Sequence, residues 1–163
     1  MFQKYFTPEE ANQLIPELEK VLERIFEIKG EAVEKALVLE ELLTSPLLLH
    51  GGHRRMEAFL QVRQELEFIL EEIDTEIEGI QLLGCYPSDL DQGLVDFPAL
   101  IGGEEAFLCW RSGEEQIGYW HGLDEGYPKR KPLGSSFSLF ILDQAGVPST
   151  GSPTRGKARR SDN

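Results

Sequence analysis

Apolar residues recur every seven positions along one stretch of this chain. Phe59, Leu66, Ile73 and Ile80 keep that interval, as do Val62 with Ile69 and Leu70 with Ile77. Such a repeat holds one apolar stripe on one side of an α-helix and asks for another helix lying lengthwise against it. The segment before it supplies the partner. Leu14, Leu18, Val21, Leu22, Ile25 and Ile28 recur at spacings of three and four, the pattern of a single helical face. Its start is marked by Thr7, Pro8 and Glu10, a capping box with proline in the first helical position, and Phe6 is placed to fold back onto the first turn. Pro16 inside the pattern is expected to kink the helix or restrict its first turns. Gly30 is expected to interrupt it, with helical residues resuming over 31–43. Pro46, Gly51 and Gly52 break the pattern, and a second helix is expected from about His53 to about Ile80. The two make an antiparallel hairpin over residues 7–80.

After Gly79 glycines become frequent and apolar runs shorten. LLGCY, GLVDF, EAFLCWR and QIGYWHG read as four short strands. Ser112-Gly113 supplies a hairpin turn, and Asp89, Asp91, Gln92 and Gly93 suit the turn before GLVDF. Pro98 is expected to end its strand or to place it at an edge. The fold class is therefore α+β: a long antiparallel helical hairpin packed on a small antiparallel β meander. Residues 1–133 form one domain, with the meander over 81–133, an apolar extension at 134–144 and a basic tail at 145–163.

Charge and composition limit the functions open to such a chain. Its 163 residues carry 29 Asp+Glu against 16 Lys+Arg, a net −13, and 40% are hydrophobic. Residues 1–83 hold 18 acidic and 8 basic residues, whereas the tail holds Arg155, Lys157, Arg159 and Arg160 against Asp162. An acidic body argues against specific nucleic-acid binding, because polyanions are held by displacing their counterions with positive charge. The Gly/Pro/Ser/Thr-rich tail reads as disordered, a solubilising segment or a weak polyanion contact. No apolar run approaches the ~20 residues of a membrane helix, and no signal peptide or lipidation motif is visible, so a cytoplasmic location is expected and no membrane partner. Two cysteines make no disulfide framework, which agrees with a reducing compartment.

FTPEEANQLIPELE, GLVDFPA, LCWRSGEEQIGYWH and GYPKRKPL follow one another in an order and at separations that resemble a bacterial family catalogued as domain of unknown function 2203, over about residues 5–133. The resemblance locates a distinctive segment in the β part. It implies no reaction, since the family brings no established activity.

That segment gathers Asp96, Cys109, Arg111, Glu114, Glu115, His121, Asp124 and Arg130 near Trp110, Tyr119 and Trp120. Aromatic walls with a few fixed polar groups make a ligand pocket, and they also make an ordinary small core with polar strand ends. The ligand-binding candidates are Asp96, Cys109, Trp110, Glu114, Trp120, His121 and Arg130. Asp96, Cys109, Glu114 and His121 bring carboxylate, thiolate and imidazole, a donor set that suits a divalent transition metal, although no C-x-x-C or H-E-x-x-H pair supports it. Cys109 with His121 also has the composition of a nucleophile and base, and Cys109 equally suits a small buried apolar position. The choice turns on hairpin register. A two-residue loop at Gly113-Glu114 sets Cys109 on the side of Gly118 and Trp120. A three-residue loop, Ser112 to Glu114, lets Cys109 share a surface with His121.

Other features have plainer readings. Lys129, Arg130 and Lys131 can grip an anion but also balance the acidic helices. DLDQGLVD lacks the spacing of a calcium loop, so Asp89 and Asp91 are turn formers. His50 and His53 are expected in an exposed connection. The segment FSLFIL, 137–142, is expected to pack on its own body or on a neighbouring chain. The sequence thus reads as a small binding or protein-interaction module with a candidate ligand site in the β segment, open to a small-molecule ligand, a homo-oligomer or a helical protein partner. The alternative is a small metal-dependent or Cys/His hydrolase using Asp96, Cys109, Glu114 and His121.

Overall fold

A computed structural model describes residues 1–44 and 52–134. His50, the glycine of the break at 51, the apolar extension from 135 onward and the basic tail lie outside the described residues.

The two helices form as expected and run longer. Helix α1 spans Pro8–Thr44 and α2 spans Gly52–Leu82. The capping box at the start of α1 closes reciprocally: the Glu10 amide donates to Thr7 Oγ1 at 3.2 Å, and the Thr7 amide donates to Glu10 Oε2 at 2.9 Å. The helix passes without interruption through Pro16 and Gly30. Pro16 is exposed, so its ring lies in solvent. At Gly30 the space around the missing Cβ is open, so an interior glycine costs helix propensity there and does not mark an end. Ala11, Ile15, Leu18, Leu22, Ile25 and Ile28 bury one stripe of α1, and Ile69 and Ile80 are the buried positions of α2. Arg24 with Glu72 and Lys35 with Glu65 tie the two helices along their length. His53 belongs to α2, exposed, 3.2 Å from Glu57.

Among the described residues five strands follow, not four. They are β1 (Tyr86–Asp89), β2 (Leu94–Ile101), β3 (Glu104–Arg111), β4 (Tyr119–Gly122) and β5 (Lys131–Pro132). All neighbours pair antiparallel in the order β1-β2-β3-β4-β5, a simple meander. LLGCY is mostly not strand: Leu82 ends α2, Gly84 turns the chain at φ +91°, and β1 begins only at Tyr86. GLVDF continues through Pro98 to Ile101. The Pro98 carbonyl accepts the Phe6 amide at 2.7 Å, so the side of β2 on which Pro98 lacks a donor faces the N-terminal segment beyond the end of β1. That is a local edge within a longer strand, where proline is tolerated. Gly102 and Gly103, both at positive φ, make the two-residue hairpin from β2 to β3.

Alternation along the strands sorts their side chains onto two faces. Val95, Phe97, Ala99, Leu108 and Trp110 point one way and join Leu18, Leu22, Ile25 and Ile80 in the core under the helices. Register sets Asp96 opposite Cys109, Cys109 opposite Tyr119, and Phe107 opposite His121, all on the other face. The chain thus has one helix-covered face, which holds the main core, and an outer face with a different content.

Candidate metal centre on the outer face of the sheet

The outer face is not simply a solvated surface. Asp96, Cys109 and His121 are 6%, 1% and 3% exposed, so a carboxyl, a thiol and an imidazole are all withdrawn from water on the side away from the helices. Side chains at both flanks of the sheet provide the cover. At one end Phe2 packs on Phe107 and Tyr86, with ring centroids 5.3 and 5.9 Å apart, and Phe107 packs on His121 at 5.6 Å. At the other, the Arg130 guanidinium lies over the rings of Tyr119 and Tyr127 at 4.3 and 4.1 Å. A 3-10 turn, Tyr127–Lys129, delivers Arg130 to that position.

Register brings the three polar groups together. The connection from β3 to β4 runs through residues 112–118 and is longer than either loop considered from sequence. Its parity matches the three-residue alternative, so Cys109 and His121 share a face. Side chains from β3 and α1 both bond to this connection. Trp110 Nε1 donates to the Glu114 carbonyl at 2.8 Å, and the Ile117 amide donates to Asn12 Oδ1 on α1 at 2.7 Å. One donor atom each from Asp96, Cys109 and His121 then lies within 4.8 Å of the others.

Hydrogen bonding fixes what the imidazole can do. Nδ1 of His121 lies 2.9 Å from the Gly122 carbonyl, which can only accept, so Nδ1 carries a proton. Nε2 is thereby turned to Asp96 Oδ1, 3.3 Å away. A metal-bound histidine is oriented in this way, with its second nitrogen anchored to a main-chain carbonyl. Two N or O ligands about 2.0–2.1 Å from one tetrahedral zinc lie about 3.3–3.4 Å apart, the spacing already present here. A sulfur ligand requires a spacing near 3.6 Å from nitrogen, inside the bound on the three donor atoms. Burial pushes the Cys109 thiol up to about 12; the negative charge of Asp96 adds to the rise and the positive charge of Arg130 opposes it. The free thiol is therefore protonated at neutral pH.

The remaining candidates divide between the two faces. Glu114 stays outside the cluster: both its oxygens accept from Arg130 Nη1, at 2.9 and 3.1 Å, and Oε2 also accepts the Arg111 amide at 2.9 Å. Trp110 is in the core on the helix side, and Trp120 packs against that core with Lys131 4.6 Å above its ring. Arg130 borders the cluster. The Gly122 carbonyl and Asn12 are the contributors that sequence reasoning missed. A main-chain acceptor leaves no residue signature, and Asn12 lies more than a hundred positions from the amide it satisfies.

Among the described residues no helix is long and apolar enough to cross a membrane. No curated protein and no solved structure matches the chain. A family model matches residues 4–133, which contain the five described strands and the whole cluster. The chain belongs to the family described as an uncharacterized conserved protein (DUF2203).

Proposed function

We propose that this chain is a small metal-binding module, holding one zinc-class divalent ion through Asp96, Cys109 and His121 with a fourth position open to water or a small ligand. The observation that carries this reading is a buried carboxyl, thiol and imidazole converging on the face of the sheet that the helices do not cover. Burying polar groups is costly unless they are paired or bound to metal, and a packed sheet face needs only apolar side chains. Three protein ligands of mixed N, O and S type suit zinc, cobalt or a similar ion better than calcium or magnesium, which take oxygen. Both cysteines are unpaired, which agrees with a cytoplasmic setting.

The Cys/His hydrolase reading finds less support. The Gly122 carbonyl holds Nδ1 of His121, and Nε2 faces Asp96 Oδ1 at 3.3 Å, so the nearest hydrogen-bonding partner of the free nitrogen is a carboxylate and not the Cys109 thiol. The thiol is also pushed up to about 12 and sealed from solvent, the opposite of an activated nucleophile.

Cobalt(II) titration of untagged protein tests the metal reading. One equivalent is expected to give intense visible bands of a four-coordinate ion and a near-ultraviolet sulfur-to-cobalt band. Zinc is expected to displace it, and Cys109→Ser to remove the sulfur band. A spectrum unchanged from aqueous cobalt would overturn the proposal.

A further inference from the structure

The hairpin outruns the sheet. Phe26 reaches the sheet's end, where its ring lies 3.5 Å from where a side chain at Gly93 would begin, and Lys29 pairs with Asp91 there. Beyond Ile28 on α1, and before Ile69 on α2, no described residue is buried. The exposed stretch is nonetheless rich in large apolar side chains: Val33 and Leu37 are each 59% exposed, Leu43 58%, Met56 55% and Leu60 48%. Two helices lying side by side cover only one stripe of each. Apolar positions outside that seam need further helices to cover them.

We propose that a second copy of this chain covers the distal half of the hairpin, the two hairpins overlapping tip to tip as an antiparallel four-helix bundle. Charge identifies the occupant. The first part of α2, residues 52–63, carries Arg54, Arg55 and Arg63 against Glu57. Residues 64–82 carry Glu65, Glu67, Glu71, Glu72, Asp74, Glu76 and Glu78 with no lysine or arginine. A two-fold axis crossing α2 near Leu60–Val62 reverses one copy on the other and sets the basic start of each α2 beside the acidic run of its mate. A parallel arrangement sets like on like. Closed two-fold contacts of this self-complementary kind are the commonest in soluble oligomers.

Chain length bounds how far the chain's own apolar segment, 137–142, could extend toward the same face. The described chain ends at Gly134 beside Pro8, Glu9 and Asn12, at the first turns of α1. Val33 is 21 residues along the helix from Asn12, about 32 Å at 1.5 Å per residue. Phe137–Leu142 begins three residues past Gly134, so even fully extended its far end reaches only about 28 Å.

Light scattering on the full chain tests this, with an expected mass twice the 18.4 kDa of one chain. The double variant Leu37→Glu with Met56→Glu replaces side chains already more than half exposed, so each copy keeps its fold. Its mass is expected to halve with the helical circular dichroism unchanged. Charge exchange tests the orientation. Arg54→Glu alone and Glu67→Lys alone are each expected to dissociate more readily than the parent, and a mixture of the two to form a tighter heterodimer. A parent chain with single-copy mass at tens of micromolar, or a double variant that keeps the doubled mass, would overturn the assembly. Charge variants whose homodimers match the parent would overturn the antiparallel pairing.

Discussion

Asp96 and His121 reach toward each other across an intervening strand. Asp96 stands on β2 and His121 on β4, with β3 between them, and Oδ1 and Nε2 close to 3.3 Å over the Cys109 position. The carboxylate therefore comes from a strand that shares no hydrogen bond with the histidine's strand. A cluster assembled in this way is only as good as the register of two successive hairpins, since a one-residue slip in either would turn one member to the helix side.

Metal binding is expected to release a proton from Cys109. Its thiol, pushed up to about 12 by burial, is protonated in the free protein at neutral pH, and the metal ligand is the thiolate. Affinity for zinc or cobalt should therefore rise with pH, by up to about tenfold per unit for this one proton. Calorimetry in two buffers of different ionisation enthalpy measures the release. In Cys109→Ser the proton count is expected to fall by one.

Arg130 is expected to resist replacement even by lysine. It combines a two-oxygen grip on Glu114 with stacking on Tyr119 and Tyr127. A lysine keeps the charge but loses the flat guanidinium that lies over both rings. Arg130→Lys should lower stability by about 1–2 kcal/mol, read as a lower urea midpoint with unchanged slope.

Alkaline pH is expected to destabilise the fold through the other cysteine as well. Cys85 is fully buried in the main core, and burial raises its thiol from 9.0 to about 11. The unfolded chain therefore loses this proton first, so the stabilising contribution is complete below pH 9 and is lost as pH rises toward 11. Each such thiol sets a slope of at most about 1.4 kcal/mol per pH unit within that window. Urea unfolding at pH 8 and pH 10.5 should show a smaller decline for Cys85→Ala than for the parent chain, with Cys109 accounting for part of what remains.

The helices were legible in the sequence because their signals are local. Thr7, Pro8 and Glu10 start α1 within four residues, and a seven-residue interval is visible in one short window. Gly30 misled for the same reason: its local meaning is a break, whereas in open space an interior glycine costs only helix propensity, and the Lys35–Glu65 pair ties α1 to α2 beyond it. The strands were half legible. β1 starts later than expected because α2 runs on to Leu82, and β5 is too short to leave a pattern. The site residues Asp96, Cys109 and His121 were nameable as donors, whereas their convergence was not. It depends on a seven-residue connection whose length no turn motif announces, and which a long-range bond to α1 holds. Glu114 has the same chemistry as a ligand but is claimed by Arg130, which follows only from where the 3-10 turn returns.

Asn12 joins α1 to the connection between β3 and β4, and its replacement is expected to be costly out of proportion to its size. Its Oδ1 accepts the Ile117 amide at 2.7 Å, while the Ile117 side chain is 5% exposed in the main core. In Asn12→Ala that amide keeps its buried position and loses its acceptor. An unsatisfied buried donor costs about 1–3 kcal/mol. Asn12→Asp retains an oxygen at the same place and is expected to recover most of the loss, which separates the missing acceptor from the change in helix propensity. The same pair tests whether this anchor matters to the cluster. Pairing of Cys109 with Tyr119 and of Phe107 with His121 lies beyond the connection and is held by the sheet itself. The Asn12→Ala protein is therefore expected to unfold at lower urea yet to bind one cobalt ion with the parent's spectrum. A changed spectrum would show that α1, through Asn12, sets the register on which the site depends.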